Sequence, residues 1–296
     1  MLFLRAFTIV ALLAGATIWW LTRAVPLPAT EMARLTGDAA RGERVFTAAG
    51  CADCHAAPGS QDDRVLAGGQ KFVTPFGTFV APNISPDPLD GIGGWTLVDF
   101  ASALKRGVSP EGRHYYPAFP YTAYAKMADQ DVADLWAFWQ ALPQSRSPSA
   151  AHDLIFPFSI RRGVGVWKML FFNDDWVMQD ADTAELERGR TLVEALAHCG
   201  ECHTPRGPMG ELRRDLWLVG AANPSGPGRV PGLRAGQLDW DAEAIAYYLE
   251  TGFTPDYDSA GGHMAEVVGN FAQLPAEDRA AVAAYLKALP PLPAPD

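Results

Sequence analysis

Cysteine is scarce in this chain, and the scarcity excludes a class of fold. Only four of 296 residues are cysteine, and all four fall into two tight pairs, Cys51/Cys54 and Cys199/Cys202. Disulfide-stapled domains are short and scatter their cysteines at varied spacings, whereas a chain of this length can fold on hydrophobic cores. Clustered positive charge is lacking too. Against 34 acidic side chains stand 24 basic ones, a net charge of -10, and basic runs go no further than pairs such as Arg161-Arg162 and Arg213-Arg214. A protein that displaces counterions from a phosphate backbone needs more than that, so nucleic acid is not an expected partner. Strand signals are sparse, and residues 71–94 are broken so often by proline and glycine that they read as mostly irregular loop. A hydrophobic fraction of 48% with 20% charged residues excludes both wholesale disorder and a multi-span membrane bundle.

The long apolar run that does occur is N-terminal. Residues 6–21, AFTIVALLAGATIWWL, carry no charge, and residues 1–4 extend the run across Arg5. About 20 apolar residues at ~1.5 Å each cross a ~30 Å hydrocarbon layer. Arg5 at one end and Trp19-Trp20 at the other suit the two interfaces, with the N-terminus inside. Cleavage as a signal peptide at Ala14-Gly15-Ala16 is the rival reading, and it would leave Ile18-Trp19-Trp20-Leu21 exposed on the mature end. The expectation is an anchor over residues 1–24, a Pro-rich tether over 25–37, and the remainder exported.

That remainder is duplicated. RGERVFTAAGCADCH (41–55) returns as RGRTLVEALAHCGECH (188–203), the cysteine pairs lying 148 residues apart. GWTLVDFASALKRGVSP (94–110) matches DWDAEAIAYYLETGFTP (239–255) at an offset of 145, and DVADLWAFWQALP (131–143) matches DRAAVAAYLKALP (278–290) at 147. Each unit reads as a helix leading into the cysteines, a Gly/Pro-rich middle and an amphipathic closing helix. This predicts an all-α protein of two tandem domains, residues 38–143 and 185–296, joined by a linker over 144–184. Long loops in such small units call for something to fill the space they enclose, and a large apolar cofactor would do so.

Cys51-Ala52-Asp53-Cys54-His55 and Cys199-Gly200-Glu201-Cys202-His203 both match C-x-x-C-H, the attachment sequence for c-type haem. Thiols one helical turn apart can form thioethers to both vinyl groups, and the next residue then offers its imidazole to the iron. A zinc site built from the four thiolates leaves both histidines unexplained, and a redox-active disulfide lacks the surrounding βαβ pattern. Two covalently bound haem c groups are therefore expected, with His55 and His203 as iron ligands.

A haem iron that only carries electrons needs a sixth ligand, and methionine thioether raises its potential. Met264, in a glycine-flanked loop of the second half, is the expected partner of His203, with His263 a lesser candidate. In the first half the offset of 145 leads from Met264 to Phe119, which cannot ligate iron. Met127 is the preferred ligand there, His114 and an open position being the alternatives. Trp95, Trp136, Phe138, Trp139, Trp240 and Tyr285 belong to core or haem pocket, and Arg206 to a haem propionate or to solvent. The aromatic, basic stretch 154–172 of the linker packs between the domains, or else faces a membrane or a partner subunit.

The stretches TPFGT (74–78), APNISPD (81–87), GIGGW (91–95), YPAFPYT (116–122), CHTP (202–205) and MAEVV (264–268) together resemble the dihaem cytochrome c family that includes electron-transfer subunits of bacterial membrane-bound, alcohol-type dehydrogenases. The resemblance spans both halves and implies tandem class I cytochrome c domains with long irregular loops. It also implies a non-enzymatic electron carrier of a periplasmic respiratory chain at the bacterial inner membrane. Its partners would be a dehydrogenase donor and, as acceptor, a cytochrome, a quinone-linked complex or an oxidase. Such subunits usually have methionine where Phe119 stands, and this chain is more similar to a branch with methionine at the Met127 position. They also often hold three haem domains against two here. A dihaem peroxidase with one open iron, or the dihaem subunit of a terminal oxidase, are the rival functions.

Overall fold

The computed structural model describes residues 1–224 and 226–291. The last five residues of the expected second domain, 292–296, lie outside the described residues. Helix α1 (Leu2–Leu21) leaves Phe3 and Leu13 exposed and meets the rest of the chain at its last turn. Among the described residues it is the one helix long and apolar enough to cross a membrane.

The first half comprises α2 (Ala39–Ala48), α3 (Cys51–His55), a hairpin of β1 (Lys71–Thr74) and β2 (Gly77–Val80), α4 (Leu97–Arg106), α5 (Tyr121–Tyr124) and α6 (Asp129–Trp139). Asp38 caps α2 by accepting from the Arg41 N–H, and Thr96 with Asp99 forms a reciprocal capping box on α4. Helices α2 and α6 cross closely because Gly42 has no side chain. A Cβ there would stand 1.9 Å from the Asp134 carbonyl oxygen. Beneath that crossing Phe46 packs on Phe138 and Trp139 at 5.2 and 5.8 Å between centroids, and Phe100 on Trp136 and Trp139. Aromatic pairs of this kind are worth about 0.5–1.5 kcal/mol each beyond their buried area.

The second half repeats the plan with α8 (Ala184–Thr191), α9 (Gly200–His203), a two-residue bridge of β4 (Ala221–Ala222) and β5 (Arg229–Val230), α10 (Ala242–Thr251), α11 (His263–Gln273) and α12 (Ala276–Ala288). Gly189 takes the place of Gly42, a Cβ there reaching 2.1 Å from the Ala281 carbonyl oxygen. An arginine clamps each crossing. Arg41 donates from Nε and Nη2 to Asp134, and Arg188 likewise to Asp278.

Two expectations need correction. Residues 71–94 do not begin as loop. KFVT and GTFV pair antiparallel, Lys71 opposite Val80, because their Thr, Val and Phe residues suit a strand once the Pro75-Phe76 turn is made. The linker adds a third strand, β3 (Asp153–Leu154), so a side chain pattern too short to read alone is completed by a segment whose Asp153 lies 75 residues beyond its partner Thr78. Nor does the stretch 25–37 hang free as a tether. Leu27 and Met32 are buried in the first domain, and the Leu27 N–H donates to Ser102 Oγ at 3.0 Å.

The linker binds the molecule together. Asn83 Nδ2 donates to the carbonyls of Ser145 and Ser147, holding the 81–87 loop. Helix α7 (Val164–Phe171) follows, and from it Lys168 reaches the Gly107 carbonyl of the first half at 2.8 Å while Trp167 donates to the Met209 carbonyl of the second at 2.9 Å.

Candidate haem sites

Cys51 and Cys54 sit on the single helical turn α3, Cys202 sits on α9 with Cys199 as its N-cap, and none of the four is in a disulfide. Burial pushes the Cys51 thiol well up, and Cys199 to about 12. A redox-active pair needs the opposite, a thiol pKa lowered toward neutrality. Among the described residues no three His, Cys, Asp or Glu side chains converge on a metal-binding point.

The histidines are held identically. His55 Nδ1 lies 2.9 Å from the Pro82 carbonyl oxygen, and His203 Nδ1 lies 2.8 Å from that of Pro231. A carbonyl can only accept, so each ring carries its proton on Nδ1 and presents Nε2 as the lone-pair donor, the orientation that a metal-ligating imidazole takes from an outer partner. Burial lowers both imidazole pKa values, His55 to about 4, which keeps the rings neutral. The backbone around each is alike, with the Gly68 N–H bonded to the His55 carbonyl at 2.7 Å and the Gly220 N–H to the His203 carbonyl at 2.8 Å. Thiols one turn apart, followed by a neutral imidazole with Nε2 free, fit covalent haem. The two proline carbonyls were legible in principle, since Ala-Pro at 81–82 and Val-Pro at 230–231 recur at an offset of 149.

The candidate sixth ligands are placed unequally. Met127 is 2% exposed, on the turn that joins α5 to α6. Met264 is half-buried in the first turn of α11, packed against the core. Phe119 lies in an aromatic group with Tyr115, Tyr121 and Tyr124. His114 is committed elsewhere, its Nε2 3.0 Å from the Thr22 carbonyl oxygen at the end of α1. His263 is exposed and faces Glu266 at 3.1 Å. Arg206 pairs with Glu201 inside the second attachment motif and donates to the Gly210 carbonyl.

The sequence did not reveal that each motif touches the other half. Asn270 of α11 donates to Asp53, between Cys51 and Cys54, at 2.8 Å. Thr122 of α5 approaches Glu201, between Cys199 and Cys202, at 3.4 Å. The His198 ring, next to Cys199, packs edge-on against Tyr124 at 5.6 Å, and the Tyr124 hydroxyl donates to the Ala49 carbonyl just ahead of Cys51. Such contacts join residues more than 70 positions apart and leave no periodic trace.

Two helical domains, each with a C-x-x-C-H turn and a carbonyl-oriented imidazole, define a dihaem c-type cytochrome. The family model "Cytochrome c" matches twice, over residues 39–143 and 186–290, and the chain belongs to that family. It is similar to a "Diheme cytochrome c-type" protein of Cereibacter sphaeroides, 56% identical over 281 residues that make up 94% of this chain and 95% of that one. It is also similar to the fructose dehydrogenase cytochrome subunit of Gluconobacter japonicus, 36% identical over 96% of this chain and 58% of that protein. The cytochrome c subunit of the quinone alcohol dehydrogenase of Gluconobacter oxydans is 35% identical over 86% of this chain and 55% of that subunit. The chain thus spans little more than half the length of those two dehydrogenase subunits. Two covalently bound haem c groups and a role in electron transport follow from the family.

Proposed function

We propose that this chain is an electron carrier anchored by α1 in the bacterial inner membrane, with both haem domains in the periplasm. It takes electrons from a dehydrogenase and delivers them to a respiratory acceptor, either a cytochrome, a quinone-linked complex or an oxidase. Cys51, Cys54, Cys199 and Cys202 would hold the haems covalently. His55 and His203 would ligate iron from one side, and Met127 and Met264 from the other. The domain limits 38–143 and 185–296 are part of this reading. The observation that carries it is the matched pair of imidazoles on the Pro82 and Pro231 carbonyls, set in motifs that each touch the other half.

The haem supplies reversible one-electron chemistry, and the protein's part is to hold its position and exclude other ligands. Neutral imidazoles fixed through Nδ1 need no reorganisation when the charge on the metal changes, and the burial of Met127 denies the first site to water. No acid, base or nucleophile is required. The net charge of -10 favours docking on a basic face of a redox partner, with transfer rates that fall as salt rises.

Carbon monoxide added to the dithionite-reduced full-length protein tests the coordination. Absence of binding is expected of two six-coordinate irons, and one equivalent bound would shift the reading to a peroxidase with an open site. The donor is tested in native membranes by adding fructose, gluconate and ethanol in turn, the substrates named by the relatives, and following haem reduction. Reduction that persists when the chain's gene is deleted would sink the assignment, and copurification with oxidase subunits alone would favour the oxidase-subunit reading.

A further inference from the structure

The linker does more than join two domains, because it meets α1 where that helix ends. Arg162 donates to the carbonyls of Trp19 and Thr22 and lies over the Trp19 ring at 4.4 Å. Gly165, in the first turn of α7, is pressed against the Thr22 carbonyl, where a Cβ would come within 2.1 Å. Helix α7 therefore starts at the last turn of α1. From there Val166, Met169 and Leu170, spaced i, i+3, i+4, form an exposed apolar stripe, Leu170 at 63%, while Val164 and Gly165 face inward. The loop before it exposes Ile155, Phe156 and Ile160, Phe156 at 79%. Contiguous exposed groups of this size on a soluble face mark an interaction surface.

Charge selects the occupant. Residues 154–172 hold Arg161, Arg162 and Lys168 and no acidic residue, in a chain that is otherwise strongly acidic. Its three cations are held on the carbonyls of Thr22, His114 and Gly107, so what the stretch presents is apolar side chains with no carboxylate among them, continuous with the end of a spanning helix, which matches the boundary between acyl chains and anionic headgroups.

We propose that residues 154–172 lie in the membrane-water interface, with Ile155, Phe156, Ile160, Val166, Met169 and Leu170 dipped into the acyl boundary. Both haem domains are thereby held flush against the bilayer instead of swinging from α1. The inference rests on the anchoring of α1 proposed above, and one experiment separates the two. In full-length protein with both haems attached, F156C and L170C are spin-labelled, with L12C inside α1 and E277C at an exposed position of α12 as references. Each is placed in vesicles of phosphatidylethanolamine and phosphatidylglycerol with both haems oxidised, and the relaxation caused by the ferric irons, read with neither probe present, is subtracted. Collision rates with oxygen and with a water-soluble nickel chelate then report depth.

At positions 156 and 170, as at 12, oxygen access is expected to exceed nickel access several-fold, with the reverse at 277. If 12 reports lipid while 156 and 170 report water, the interface placement is overturned and α1 anchoring stands. Access to neither probe at 156 and 170 would also overturn it, in favour of cover by a protein, and nickel access at 12 would sink the anchor and the inference together. A label at Ile160 adds an independent check. Introducing F156E and L170E together should move it from lipid to water while leaving position 12 unchanged, and no movement would count against the placement.

Discussion

In the first half α2 runs through a single residue, Ala49, to Gly50 and Cys51, ten positions after Arg41. In the second half Cys199 follows Arg188 by eleven. The extra residue is absorbed as a turn of π-helix, Leu192–Leu196, the usual way for a helix to take in one residue without shifting both of its ends. The consequences spread outward. Glu194 turns inward to 1% exposure, where its carboxylate accepts from the Val177 and Met178 N–H groups and from the Tyr285 hydroxyl, which itself accepts from Trp217 Nε1. In the first half the corresponding space holds the rings of Phe46, Phe138 and Trp139, the last donating from Nε1 to the Ile84 carbonyl. At the residue before the first cysteine, Gly50 has a left-handed φ of 58°, whereas His198 takes φ of 38° and packs on Tyr124. Left-handed backbone is uncommon for a residue with a side chain, so the wall contact comes with local strain. One insertion has thus given the second half a polar brace to the linker and a ring against the first half, while the imidazole geometry stays the same.

The methionines differ between the halves in a second way. Met127 N–H bonds to the Tyr124 carbonyl at 3.0 Å, and Leu274 N–H bonds to the Phe271 carbonyl at 3.1 Å, which makes Leu274 the counterpart of Met127. Both turns are pinned from a neighbouring helix, Lys105 donating to the Met127 carbonyl and Arg279 to that of Leu274. The halves therefore carry methionine at alternate positions, Phe119 and Met127 in one, Met264 and Leu274 in the other. The sharpest test exchanges each for its apolar counterpart. M127L should open one iron, so that the reduced protein goes from binding no carbon monoxide to binding one equivalent, with half of the methionine-iron absorbance in the far red lost. M264L should do the same at the other haem, and the double variant should bind two equivalents. A single variant that binds none would remove that methionine from the ligand set. Leucine for methionine conserves volume and costs less than about 1.5 kcal/mol, so loss of fold does not cloud the result.

Much of this was legible in the sequence, and the reason is specific. The duplication, the C-x-x-C-H turns and the closing helices repeat over short spans, so composition and spacing report them. The hairpin at 71–80 was missed because proline and glycine dominate the local signal, and its third strand comes from the linker. His114 stood near the right place in sequence, but Thr22 holds its Nε2, a contact spanning 92 residues. The contact of Asn270 with Asp53, which ties the first motif to the second half, spans 217 residues, and no local pattern carries it.

Where the halves agree, substitutions should cost the same. G42A and G189A each place a methyl group against a carbonyl oxygen of the crossing helix, at 1.9 and 2.1 Å, and backbone on both sides leaves little room to yield. Each should lower stability by about 1–3 kcal/mol in chemical denaturation, as overpacking does. A large effect in only one half would show that the two crossings are not equivalent. Where the halves differ, the response should split. E194Q leaves one acceptor oxygen in place of two, facing the Val177 and Met178 N–H groups, and an unsatisfied buried donor costs about 1–3 kcal/mol. At the corresponding site of the first half Thr47 bonds only to the Glu43 carbonyl one turn back, so T47V should change stability by about 0.5 kcal/mol or less. Equal losses would mean that the polar brace contributes nothing of its own.

The smallest expected difference concerns acid. Asp134 is 1% exposed, and desolvation opposes its charge. Bonds from Arg41, the Asp38 N–H and Gln130 more than offset that, so its pKa is lowered from the ordinary carboxylate value. A group whose folded pKa is depressed contributes stability above its unfolded value, near ~4, and loses it as pH falls through the folded value. Acidification below pH ~4 should therefore loosen the α2–α6 crossing. The substitution D134N should lower stability at neutral pH and flatten its decline in acid. Denaturation midpoints of the two proteins should converge as the pH drops, and a constant gap between them would mean that the clamp does not act through the Asp134 charge.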